Sequence, residues 1–226
     1  MNISIITLFP QMFECAFSES IIKRAKEKKV VKINLINLRD FADDKHKTVD
    51  DTPYGGGAGM VLKVDVIDKA INSIVGNNRK EYKVILMTPQ GKRYDQPKAE
   101  ELSKQKKLIF ICGHYEGFDE RIREHLVDEQ ISLGDFVLSG GEIPAMAIVD
   151  SIVRLIPGAL GKNESSEEES FSLKDEKGNL LLEYPHYTRP VEYKGWKVPD
   201  VLQSGNHAKI SNWRLEQAKK RTINER

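Results

Sequence analysis

Cysteine is nearly absent from this chain. Cys15 and Cys112 stand alone among 226 residues, too few for a disulfide framework, and no Cys/His cluster has zinc-ligand spacing, so no metal ligand set is predicted. Each lies inside an apolar run, which predicts two reduced thiols in a core. Long hydrophobic runs are missing as well: nothing approaches the ~18 apolar residues of a membrane span. The opening MNISIITLFP has no basic stretch ahead of its apolar run, which Pro10 cuts short, unlike a secretory leader. The expected location is the cytoplasm, without a membrane partner. A strong charge bias is also lacking, since 35 Lys and Arg against 34 Asp and Glu leave +1. Only residues 204–226 depart from balance. Six basic side chains there oppose Glu216 and Glu225, a local +4 that suits either a polyanionic partner or a solvated helix face.

Two phosphate-binding patterns are absent. Starting from Gly55 and Gly57, the last position of G-x-G-x-x-G is Met60; starting from Gly57 and Gly59, it is Leu62. The lysines after Gly91 and Gly161 are followed by Arg93 and Asn163, so neither pair closes a P-loop.

What is present is an ordinary core-forming composition, 39% apolar and 31% charged. Short β-rich runs (3–8, 31–37, 83–88, 107–112 and 136–138) alternate with helically spaced segments (11–28, 64–75, 96–105, 118–127 and 142–155). That alternation predicts an α/β fold on a mainly parallel sheet. It stops near 154–161, where Pro157, Gly158 and Gly161 end a helix. Residues 162–172, KNESSEEESFS, then hold four glutamates and four serines, a composition that stays mobile by itself. The predicted organisation is a domain over 1–161, a linker over 162–180 and a small helical domain over 181–226, with a helix near 206–220 and Ile210, Trp213 and Leu215 available for packing.

Glycine-bearing stretches mark the strand exits: PYGGGAGM (53–60), TPQGK (88–92), CGHYEG (112–117) and SLGDFVLSGGE (132–142). Glycine lets a backbone turn with positive φ and approach a ligand closely. One such loop is as well explained by a tight turn. Three on successive strand ends point to one nucleotide-like ligand in the crevice at the carboxyl ends of the strands. Within CGHYEG, Tyr115 suits stacking and Glu116 suits a hydroxyl or cation, against the plainer alternative of a helix entry whose Asp119 or Glu120 complements the dipole. His114 reads as structural.

Together VDDTPYGGGAGM (49–60), CGHYEGFDER (112–121), SLGDFVLSGGEIPAM (132–146), PHYTRP (185–190) and SGNHAKI (204–210) closely resemble the bacterial tRNA (guanine-37-N1)-methyltransferase family, and the likeness runs over nearly the whole chain. The resemblance implies a knotted fold of the SPOUT class, with a trefoil knot near the cofactor site, one of the rare exceptions to unknotted topology. It implies S-adenosylmethionine as methyl donor, bound by Pro89, Gly113, Tyr115, Glu116, Gly117, Leu133, Gly134, Asp135, Phe136, Val137, Leu138, Gly140 and Gly141. It implies a homodimer with shared active sites and tRNA as partner. Asp50, Tyr187 and Arg189 would contact the substrate; a packed tyrosine and a surface arginine are the plainer alternatives for the last two. The family's dependence on Mg²⁺ makes Glu116 a candidate ligand, though no spacing fixes a metal cage.

Guanine N1 carries a proton and is a poor nucleophile until that proton leaves, which calls for a carboxylate base and a cation at O6. Arg154 matches the family's catalytic arginine, at a helix end read as lying beside the cofactor loop. The family's base is an aspartate before Ser-Phe. Here Glu169 holds that position, one methylene longer, with Glu168 as neighbouring alternative and the insertion 173–179 free to shift the register. The rivals are ribose 2′-O methylation, a non-catalytic RNA-binding module and a nucleotide-binding regulatory domain.

Overall fold

Residues 1–160 and 169–225 are described by a computed structural model, which divides into two units, Met1–Gly161 and Lys162–Arg226. In the first, the elements run β1 (Asn2–Thr7), α1 (Met12–Phe17), α2 (Ser20–Glu27), β2 (Lys32–Asn37), β3 (Asp50–Asp51), β4 (Val61–Leu62), α3 (Val64–Val75), β5 (Lys83–Arg93), α4 (Gln96–Ser103), β6 (Lys107–Cys112), β7 (Glu129–Ser132) and α5 (Glu142–Val153). Five strands make one parallel sheet in the order β2-β1-β6-β5-β7. β3 and β4 pair separately and antiparallel.

Strand alternation sorts the core into two layers. Ile3 and Ile5 of β1, Ile85 and Met87 of β5, and Leu108, Phe110 and Cys112 of β6 join Phe13, Ile22, Ile148 and Ile152 of α1, α2 and α5. Ile6, Val84, Leu86, Ile109 and Ile111 pack instead with Val66, Ile67, Ala70 and Ile71 of α3. With both faces covered, the strands read as unbroken apolar runs. Each fully buried Ile or Phe contributes ~1.5–3 kcal/mol, so β1, β5 and β6 give the strand-end loops a rigid base.

Several expectations are corrected. Residues 136–138 form no strand and lie exposed, with Val137 at 86%. The fifth strand is β7, whose Glu129 and Gln130 hide an edge strand behind polar side chains. Glu129 there is clamped by Lys83 and Lys98, each at 2.8 Å. The segment 118–127 makes only a short turn ending in a π-helical turn, Ile122–Leu126. The predicted helix over 11–28 is two helices, broken before Ser20. Cys112 is buried, but Cys15 is exposed, because Phe13 and Phe17, four apart, take the buried stripe of α1. No helix among the described residues is long and apolar enough to cross a membrane.

The second unit holds the hairpin β8 (Glu192–Tyr193) and β9 (Trp196–Lys197), α6 (Asp200–Gln203) and α7 (His207–Glu225). Asn206 caps α7 by accepting a hydrogen bond from Lys209 N at 3.1 Å. The helix turns Ala218, not Leu215, toward Leu181 and Tyr184; Leu215 stays exposed. Residues 169–180, assigned from the sequence to a linker, are bonded to the start of the helical part: Phe171 N to Leu181 O at 2.7 Å, Leu181 N to Leu173 O at 2.8 Å and Glu183 N to Ser170 Oγ at 3.0 Å.

Candidate functional site

A cleft of about 250 Å³ opens where β5, β6 and β7 end side by side. Its first wall comes from β5 itself. Met87 and Lys92 both pair with Ile131 of β7, so Thr88–Gly91 bulge out of the ladder. Gly91 permits this because a Cβ there would meet Ile131 N at 2.4 Å and Gln130 C at 2.5 Å. Thr88 Oγ1 then donates to Gln90 Oε1 at 3.3 Å, fixing the amide at the cleft edge.

The second wall is Gly113–Phe118, after β6. Glu116 N donates to Met60 O at 3.1 Å and Leu62 N to Gly117 O at 3.0 Å, which tie this loop to the glycine stretch 53–60. Asp119 accepts from Arg121 N at 3.0 Å and from the Arg121 guanidinium at 2.9 and 2.7 Å. That pairing holds its carboxyl below the usual range.

The third wall, Leu133–Gly141, leads from β7 into α5. Gly141 N donates to Gly113 O at 2.8 Å and Gly140 bridges to His114. A Cβ on Gly141 would stand 2.8 Å from both Cys112 Cα and Gly113 N. Behind this crossing, Glu142 is 2% exposed and accepts from Thr7 Oγ1 at 2.7 Å. Burial, reinforced by Glu142, pushes the Cys112 thiol well above its ordinary range.

Of the thirteen residues expected at a cofactor, all but Asp135 line this cleft. Asp135 points outward, 3.8 Å from Arg93 Nη1. His114 is more than a scaffold residue: it lines the cleft, packs 4.9 Å from Phe9 and 5.0 Å from Tyr115, and has its buried Nδ1 without a hydrogen-bond partner among the described residues. Sequence reasoning missed Gln90 and Arg123, both in the lining. Gln90 sat inside a quoted glycine motif. Arg123 gave no signal, because its segment read as a regular helix.

The remaining predicted residues lie elsewhere. Asp50 is half-buried on β3. Arg154 caps the carboxyl end of α5, the opposite end of the helix from Gly141, and is not among the residues lining the cleft. Glu169 begins the described part of the second unit, its carbonyl accepting from Ser172 N at 3.0 Å; Glu168 falls outside the described residues. Tyr187 is exposed, its ring 6.4 Å from Trp213, and Arg189 is exposed nearby in sequence. Among the described residues no group of three His, Cys, Asp or Glu is arranged to hold a metal.

The chain matches the family described as "tRNA (Guanine-1)-methyltransferase TrmD" over residues 1–226. It is 58% identical over 226 residues to a protein of Bacillus pumilus (strain SAFR-032), covering 100% of this chain and 90% of that one. It is 55% identical over 222 residues to one of Bacillus subtilis (strain 168), covering 98% and 89%. With one of Dehalococcoides mccartyi (strain CBDB1) it shares 52% over 226 residues, covering 100% and 89%. All three carry the name tRNA (guanine-N(1)-)-methyltransferase.

Proposed function

Because the chain belongs to the tRNA (guanine-1)-methyltransferase family, we propose that it transfers a methyl group from S-adenosylmethionine to N1 of guanine 37 in tRNA. The observation that carries this is the cleft at three adjacent strand ends, inside a chain matched along its full length. The lining suits the donor. Met87, Ile131, Leu133, Leu138 and Pro144 offer an apolar side for an adenine, and Gly113, Gly134, Gly140 and Gly141 leave backbone groups open to polar edges.

Bound there, S-adenosylmethionine supplies a methyl that is already electrophilic, so the protein's main work is alignment. Glu169 takes the proton from N1, and Arg154 faces the charge that gathers on O6. Asp50, Tyr187 and Arg189 hold the RNA around the splayed base. Glu116 is the one carboxylate among the described residues of the lining and the candidate contact for Mg²⁺.

A homodimer is supported by the position of Arg154. The 12 residues of α5 separate it from the Gly140–Gly141 turn, a span of about 18 Å at 1.5 Å per residue. A guanidinium that far along a rigid helix serves the cleft of a second copy better than its own. Exposed Phe136, Val137, Leu138 and Ile143 supply apolar surface for such a contact. The crossing of Leu133–Gly141 against the β6 exit supports a trefoil knot, since Gly141 and Gly140 bond to Gly113 and His114.

Unmodified tRNA transcripts test the assignment. With guanine at position 37 they gain one methyl, mapped to N1, and with adenine there they gain none. A methyl mapped to a ribose 2′ oxygen contradicts the proposal.

A further inference from the structure

We propose that the β8–β9 hairpin is a stacking platform for an unpaired nucleobase of the tRNA other than the target guanine. The inference rests on the proposed tRNA substrate and deepens that reading. Tyr193 and Trp196 stand directly opposite each other across the two strands, and Glu192 stands opposite Lys197. Both rings reach into solvent, Tyr193 at 54% exposure and Trp196 at 72%. Neither belongs to the small core that Leu181, Tyr184 and Ala218 make with Leu173, and neither lines the cleft. Their centroids lie 5.9 Å apart with the planes tilted by 59°, so the indole keeps a flat face open to a third ring.

The hairpin is braced before any RNA arrives. Lys194 and Gly195 turn it with positive φ, 51° and 85°, as a two-residue turn between twisted strands requires. At its base Val198 N donates to Val191 O at 2.9 Å, and Gln203 Nε2 of α6 donates to Val198 O at 2.9 Å. Tyrosine and tryptophan have few side-chain torsions to fix, so ordering them on a ligand costs little. Charge selects the occupant. Residues 189–197 hold Arg189, Lys194 and Lys197 against Glu192, and residues 204–226 of the same unit add their excess of basic side chains. Lys194 Nζ lies 5.3 Å from the centre of the Tyr193 ring, at the rim of the aromatic surface, where the phosphate of a stacked nucleotide would pass. Those cations match a phosphate backbone and have no counterpart to meet on an apolar protein surface. Aromatic faces interleaved with lysines are the pattern that holds single-stranded nucleic acid.

Equilibrium binding of an unmodified tRNA transcript to the full chain, with methyl transfer followed in parallel, tests this. Trp196→Ala should weaken binding roughly 5–100-fold, the worth of one stacked base. Trp196→Phe, which keeps an aromatic face, should stay within about threefold of wild type. At saturating tRNA the transfer rate of Trp196→Ala should match wild type, a separation that a misfolded variant would not show. Lys194→Ala should flatten the salt dependence of binding by about one unit, whereas Trp196→Ala should leave that slope unchanged. Transcripts lacking one unpaired base at a time identify the occupant. One of them should bind the wild type as weakly as the intact transcript binds Trp196→Ala, with no further loss when the two changes are combined. Wild-type affinity in Trp196→Ala, or losses that add for every abasic transcript, overturns the proposal. So does a change of oligomeric mass in Trp196→Ala, which would mark the hairpin as a protein interface. If the wild type methylates no transcript, the tRNA reading itself fails, and the platform with it.

Discussion

Glu169→Gln keeps the size of the side chain and removes its capacity to accept a proton. Since a positioned base contributes ~10²–10⁴-fold, single-turnover methylation should slow by at least ~100-fold, with tRNA binding retained. A native rate would remove Glu169 from the role. Gly141→Ala acts through space instead. Its new methyl would sit 2.8 Å from backbone atoms of Cys112 and Gly113, and such overpacking typically costs ~1–3 kcal/mol. A lower unfolding midpoint and weaker donor binding should appear together in thermal melts run with and without donor. Two glycines differ in how legible their roles were. Gly141 stood in a motif that announced a turn, and the close approach explains why nothing larger fits. The reason for Gly91 was hidden, because its neighbours, Gln130 and Ile131, belong to a strand whose polar start masks its period.

Four charged side chains join β5, α4 and β7. Lys83 meets Glu101 and Glu129 at 2.8 Å each, and Lys98 reaches the same two acids. Hydrogen bonds from Lys83 and Lys98 pull the Glu101 carboxyl from its ordinary 4.5 to about 2. Burial alone would raise Glu129, but the same lysines overcome it and leave that carboxyl lowered. A carboxyl depressed on folding stabilises the fold above its unfolded pKa and loses that contribution as pH falls through the folded one. The unfolding midpoint should therefore drop between pH 4.5 and about 2, and less steeply in Glu101→Gln. Melts across that range check it; identical slopes would contradict it. At this scale the strands with alternating apolar faces, β1, β5 and β6, were readable because burial on two sides writes itself as an apolar run. β7 was not, since a four-residue edge strand opening Glu-Gln looks like a loop. The π-helical turn at Ile122–Leu126 escaped for a related reason: its helical spacing of apolar residues does not distinguish one irregular turn from a helix.

The largest claim concerns the molecule as an assembly. Composition predicts a change of character after residue 161, and the chain divides into the units Met1–Gly161 and Lys162–Arg226. The proposed second chain is implied by the resemblance and supported by α5, which sets Arg154 a helix length away from Gly141. Co-expressed chains provide the test. One carries Arg154→Ala with an intact cleft, and the other carries Gly141→Val with an intact Arg154. Each is expected to be nearly inactive alone as a homodimer. A heterodimer, isolated with two different affinity tags, has one complete site if cleft and arginine come from different chains. The account predicts methylation of G37 in that heterodimer at about half the wild-type rate per dimer, one of two sites being whole. A heterodimer as inactive as its parents would contradict it, because cleft and arginine would then have to lie on the same chain.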